Sequence, residues 1–168
     1  MIRQSDMPAI YEHQLVVKQG DIDVLGHVNN LVYLSWIQDA AVAHSAAQGW
    51  PTSKYLELGA GWVVRSHKIE YRQPAFADES IVVRTWIANF KKIQSLRKYQ
   101  ILRSHDDAVL AVAETNWAFI GFEHRVPRRV PGEIIESFVL VEPANEPSLP
   151  RQHNRLEKLA QTGKRNDH

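Results

Sequence analysis

Hydrophobic and polar residues change their repeat twice along this chain. Residues 1–10 show no period and read as a loose lead-in. Residues 13–18, centred on Gln14-Leu15-Val16-Val17, read as a strand. Residues 20–26 carry two Asp and two Gly and read as a turn. From Asn29 the repeat becomes helical. Leu31, Leu34, Ile37, Ala41 and His44-Ser45 recur on one face, and Val32, Trp36, Ala40, Ala43 and Ala47 fill a second. Asn29 or Asn30 suits the N-cap, and Gly49 before Pro51 ends the run. The spacing predicts a helix over about 30–47 that is apolar on most sides. Such a helix is buried or wrapped by a sheet. A short second helix is expected over 51–58.

After Gly59-Ala60-Gly61 the repeat becomes two. Strands are expected over 62–71, 80–89, 95–104 and 109–121, with turns at 73–79 and at Asp106-Asp107. Each has roughly ten residues, longer than the usual five or six. Long strands joined by short turns form an antiparallel meander. One strand, one long apolar helix and four further strands make an α+β domain whose sheet covers the helix. A last helical turn is expected at Pro131-Gly132-Glu133-Ile134. Residues 142–168, rich in Pro, Asn, Gln and charge, read as a partly disordered tail with a short helix near 154–159. The expected division is a lead-in over 1–10, one domain over 11–140 and a polar tail over 141–168.

Composition narrows the functional classes. The 168 residues suit one domain with its own core, and 44% hydrophobic residues exclude a disordered chain. The net charge of +1 gives no global field for nucleic acid, so any anion site is local. With no cysteine there is no disulfide, thiolate metal site or cysteine nucleophile. The N-terminus lacks an apolar signal core, and no stretch approaches the roughly 20 apolar residues of a membrane span. A cytoplasmic protein that engages neither membrane nor nucleic acid is expected.

Several motifs fail on inspection. There is no Gly-x-Ser-x-Gly elbow and no Walker-type Gly-Lys-Ser/Thr. Gly59-Ala60-Gly61 lacks the third glycine of a dinucleotide loop. Asp21-x-Asp23-x-x-Gly26 matches part of a calcium loop, but its fifth position is Leu25 and its twelfth is Val32. No further ligand accompanies His27 and the two Asp, so no metal is expected.

What remains is a carboxylate, Asp23, in a glycine-bounded turn just before a buried helix. The first turn of a helix has N–H groups without intrahelical partners, and the helix dipole adds positive charge there. A thioester carbonyl placed against the N–H of Asn30 or its neighbour would be polarised, and its oxyanion stabilised. Asp23 could then act from the other side of the carbonyl carbon. A thiol leaves readily (pKa about 8.5), so no dedicated acid is essential. Asp21 and Asp23 equally suit turn shaping or helix capping.

The run Asp21-x-Asp23-x-x-Gly26-His27-Val28-Asn29-Asn30-x-x-Tyr33-x-x-Trp36 resembles the signature of the 4-hydroxybenzoyl-CoA thioesterase family of hotdog proteins. Ile69-Glu70-Tyr71-Arg72-Gln73-Pro74-Ala75, the segment from Ala111 to Ile120, and Arg125-Val126-Pro127 resemble later parts of it in the same order. The resemblance spans about residues 11–137. It implies a hotdog fold, with about five antiparallel strands wrapped around one long central helix. It implies acyl-CoA hydrolysis, with Asp23 as general base or nucleophile and the Asn30 backbone N–H as oxyanion donor. Coenzyme A belongs to the substrate, and no other cofactor is implied. His27, Asn29 and Tyr33 are substrate-binding candidates, with packing or capping as their alternative. Lys91, Lys92, Arg97 and Lys98, beside the hairpin after Phe90, are candidates for the CoA phosphates, or simply a solvated edge. Arg65 and Arg72 stay unassigned. A homodimer or homotetramer with sites between subunits is implied. Hydrolysis of acyl groups on carrier protein, or non-catalytic binding of an acyl ligand, are the rival readings.

Overall fold

The computed structural model describes residues 8–150. Five strands and one long helix form where the changes of period place them. They are β1 (Tyr11–Val16), α1 (Asn30–Ala47), α2 (Thr52–Leu58), β2 (Ala60–Tyr71), β3 (Ser80–Phe90), β4 (Gln94–Arg103), β5 (Val109–Gly121) and α3 (Gly132–Glu136). The first strand starts two residues earlier than its apolar centre indicates. Its register is set by β3, which pairs Tyr11 with Thr85 and Val16 with Ser80. The expected helix near 154–159 lies outside the described residues.

All pairings are antiparallel, in the order β1-β3-β4-β5-β2. Consecutive strands β3, β4 and β5 form the meander. β2 closes one edge beside β5 and β1 the other beside β3, so α1 connects the two edges of the sheet. The helix lies across the sheet and buries Tyr33, Trp36, Ile37, Ala40, Ala41 and His44. Ile37 and Ala40 meet Val83 and Ile101 in one apolar cluster. Burying one such side chain contributes about 1.5–3 kcal/mol. A second cluster gathers Trp50, Ile87, Phe119, Ile134 and Phe138 beyond the C-terminal end of the helix.

Two sequence expectations need correction. The helix is apolar on most sides, yet the sheet covers only one of them: Leu31 is 71% and Val42 53% exposed. The polar segment after residue 140 also does not leave the domain at once. The Val141 N–H donates to the Ile87 carbonyl, Lys98 pairs with Glu146 at 2.7 Å, and the Gln100 amide donates to the Pro147 carbonyl. This segment lies over the outer face of the sheet, where Trp86, Gln100 and Leu102 are buried.

Candidate active site

The Asp-Gly turn is built from its own side chains. Residues 19–21 form a single 3-10 turn, and Asp21 accepts the Lys18 N–H at 2.9 Å. A tight turn follows. The Asp23 N–H donates to the His27 carbonyl, and the Gly26 N–H to the Asp23 carbonyl. Gly26 sits at φ +87°, a conformation that side-chain-bearing residues rarely adopt. Asp23 Oδ1 accepts the Leu25 N–H at 2.8 Å, which also stiffens the turn. Its Oδ2 lies 3.7 Å from His27 Nδ1. That nitrogen is also 3.2 Å from the Val28 carbonyl, which can only accept, so Nδ1–H is the donor in that contact.

The turn is tied to the start of the helix. The Asn29 N–H donates to the Asp21 carbonyl at 2.9 Å, and Ile22 bridges Val28. The Asn29 side chain accepts the Leu31 N–H at 2.9 Å, making Asn29 the N-cap. Of the roles open to Asn29, the structure shows the cap. Asn30 is the first helical residue, so its N–H has no acceptor within the helix. No other acceptor among the described residues takes it. Its carbonyl accepts the Tyr71 hydroxyl at 2.9 Å.

Asn30 is also among the residues lining a cleft of about 230 Å³, with His27, Tyr33, Tyr71 and Arg72. Tyr33 is buried at its floor, with its ring edge-on to Tyr71 at 5.2 Å. Burial raises its hydroxyl above the usual pKa of 10. Arg72 pairs with Glu70 at 3.1 Å. Asp23 is not part of the cleft wall. Its carboxylate stands on the adjoining turn, against His27, which is. Tyr71 is not among the site residues the sequence predicts; its signal is its place in the family-like run from Ile69 to Ala75, at the end of a predicted strand.

The basic group splits apart. Lys91 and Lys92 are exposed on the β3–β4 hairpin. They lie at the far end of β3 from the 72–75 segment, a separation of roughly 30 Å for a strand of this length. Lys98 points to the outer face and pairs with Glu146. Arg97 does not join them, and its assignment to a surface phosphate cluster is corrected. Alternate residues of a strand face opposite sides. Arg97 therefore points inward with Ser95 and Tyr99 and is only 5% exposed. Its Nη1 donates to Thr85 Oγ1 at 3.1 Å and to His44 Nδ1 at 2.8 Å. Burial, and then the Arg97 charge, lower the His44 pKa from 6.5 to about 3, so the imidazole is neutral.

The model of the Thioesterase-like superfamily matches residues 17–138 of the chain. The fold is similar to that of a 1,4-dihydroxy-2-naphthoyl-CoA thioesterase from Synechocystis: TM-score 0.71 and 17% identity, over 76% of this chain and 94% of that one. A probable thioesterase from Bartonella henselae gives TM-score 0.68 and 25% identity, over 73% and 100%. An acyl-ACP thioesterase from Bacteroides thetaiotaomicron gives 0.71 and 21%, over 89% and 60%. No curated protein sequence matches the chain. The five-stranded α+β arrangement is thus a hotdog fold.

Proposed function

The chain belongs to the thioesterase-like superfamily of thioester hydrolases, and from that premise we propose that it hydrolyses acyl-CoA thioesters to the free acid and CoA. The observation that carries this reading is the unpaired N–H of Asn30, a residue that lines a cleft at the positive end of an 18-residue helix. A thioester carbonyl lodged there gains a hydrogen bond that strengthens as its oxygen becomes an oxyanion.

Asp23 takes a proton from the attacking water. The new C–O bond forms, the C–S bond breaks, and the proton held by Asp23 passes to the leaving thiolate. The alternative course, attack by Asp23 itself to give a mixed anhydride, differs in one observable. Single-turnover reaction in oxygen-18 water labels the Asp23 carboxylate only by that route.

The exposed apolar side chains support a site completed between subunits. Val24 is 102% exposed and Leu25 77% at the tip of the turn, and Leu31 and Val42 of α1 are exposed as well. β2 leaves a 12-residue sheet edge unpaired in one protomer. Lys91 and Lys92 lie too far from their own cleft to bind its substrate. As phosphate contacts they would serve CoA bound at a partner's cleft.

Thiol release over a panel of acyl-CoAs, aromatic and aliphatic, tests the reaction. At least one is hydrolysed well above the rate in buffer. Release only from acyl carrier protein would move the substrate class. Release from neither would overturn hydrolysis.

A further inference from the structure

A second cavity, of about 180 Å³, opens near the C-terminal half of α1. Its lining shares no residue with the Asn30 cleft. The walls are largely aromatic, with Trp50, Tyr55, Trp62, Phe90 and Phe138 among them. Arg97 is the one charged residue in this lining. Two neutral groups, Thr85 and His44, hold its Nη1, and the Phe138 ring lies 6.0 Å from its guanidinium carbon. No carboxylate among the described residues comes within ion-pair distance of it.

This arrangement is costly. A buried charge needs a partner, and leaving it unpaired costs several kcal/mol. His44 cannot share the charge: its Nδ1 accepts from Arg97, and its Nε2–H is buried without a partner. The guanidinium is the residue type best matched to a carboxylate, which it can grip with two parallel N–H groups. Hydroxyl groups stand at the same cavity, those of Ser45 and Tyr55 among them. Tyr55 and Ser45 are hydrogen-bonded to each other at 2.8 Å, and the Arg97 charge acts on Tyr55. The space is also of the right order for one ring, since a cavity of about 150 Å³ holds benzene.

We propose that this cavity is a binding site for a small carboxylic acid with an aromatic or short aliphatic body, the carboxylate pairing with Arg97 and the body lying among the aromatic walls. The inference does not rest on the hydrolytic reading, because it concerns a different cavity and a binding event.

Isothermal titration of the full chain with benzoate, phenylacetate and hexanoate tests it, with benzamide as the neutral counterpart of benzoate. At least one acid is expected to bind saturably, and benzamide at least tenfold more weakly than benzoate. Arg97→Met should weaken the acids at least tenfold and leave benzamide unchanged. Arg97→Lys should fall between the two. Benzoate should raise the melting temperature of the wild type and not that of Arg97→Met. Should Arg97→Met fail to fold, Val42→Trp at the cavity lining should abolish acid binding instead. Benzamide binding as tightly as benzoate, acid binding indifferent to both variants, or no binding of any of the three acids would overturn the proposal. Competition between benzoate and the mono-CoA thioester of a dicarboxylic acid identifies the source. Competition makes the bound carboxylate the far end of an acyl group. Its absence makes it a free acid. Either result supports the site.

Discussion

The two ends of α1 handle charge in opposite ways. At the N-terminal end the charge is partial and belongs to the backbone. The Asn30 N–H has no acceptor, Asn30 lines an open cleft, and the carboxylate of Asp23 stands on the adjoining turn. At the C-terminal end the charge is whole and belongs to a side chain. Arg97 is buried against a neutral imidazole inside an aromatic cavity. A backbone donor is fixed by the fold itself and needs no counter-ion, which suits charge that appears only transiently. A buried guanidinium is charged at all times, which suits a ligand that arrives already charged. One helix therefore presents a place suited to chemistry and a place suited to recognition, separated by about 20 Å along its axis.

Four substitutions or conditions probe that contrast, beginning with one that spares neither end. Ile37 is fully buried in the middle of the helix. Ile37→Ala should cost about 2–5 kcal/mol in urea unfolding and weaken both sites together. A change in only one site would mean that the ends are not coupled through the helix.

The buried end alone answers to acid. The folded pKa of His44 is about 3, below its ordinary 6.5, so the unfolded chain binds a proton that the folded chain refuses. Stability should be unaffected by this group above pH 6.5. Between pH 6.5 and 3 it should fall, approaching about 1.4 kcal/mol per pH unit. Urea unfolding from pH 7 to pH 4 should show a steeper loss in the wild type than in His44→Gln. Parallel pH profiles would refute the placement of His44.

The exposed end answers to its cap. Asn29→Ala removes the acceptor of the Leu31 N–H and should cost about 1 kcal/mol. It should also lower thiol release by disturbing the first helical turn, while benzoate binding stays unchanged. Tyr71→Phe removes only the hydroxyl bond to the Asn30 carbonyl. It should cost about 0.5–1 kcal/mol or less and reduce the hydrolytic rate only a few-fold, visible in KM and kcat compared side by side.

Much of this frame was legible in the sequence. α1 and β5 follow their periods because one side of each meets a single apolar core. The Asn29 cap was legible as one of two adjacent candidates, and the register of the turn chose between them. Arg97 was not legible. Along β4 neither parity is clearly apolar: Ser95, Arg97 and Tyr99 alternate with Leu96, Lys98 and Gln100. Both faces of this strand are covered, one by α1 and the other by residues 141–149, so alternation loses its meaning as a guide to the interior. Burial of the outer face could not be anticipated from a segment whose composition looks solvated. His44 was read as part of the helical stripe, and only its contact with Arg97 distinguishes it from a core residue. The Asp23 segment was legible as a turn. Its link to the helix start depends on the Asn29–Asp21 bond, which joins residues that no period connects.

The most direct measurement is the steady-state rate of thiol release by Asp23→Asn and by wild type, on the acyl-CoA the wild type hydrolyses best. Circular dichroism should first show that both proteins are folded. The variant keeps the shape of the side chain and an oxygen to accept the Leu25 N–H, but it loses the base. The expected result is a fall in kcat of about a hundredfold or more. Equal rates in the two folded proteins would contradict it.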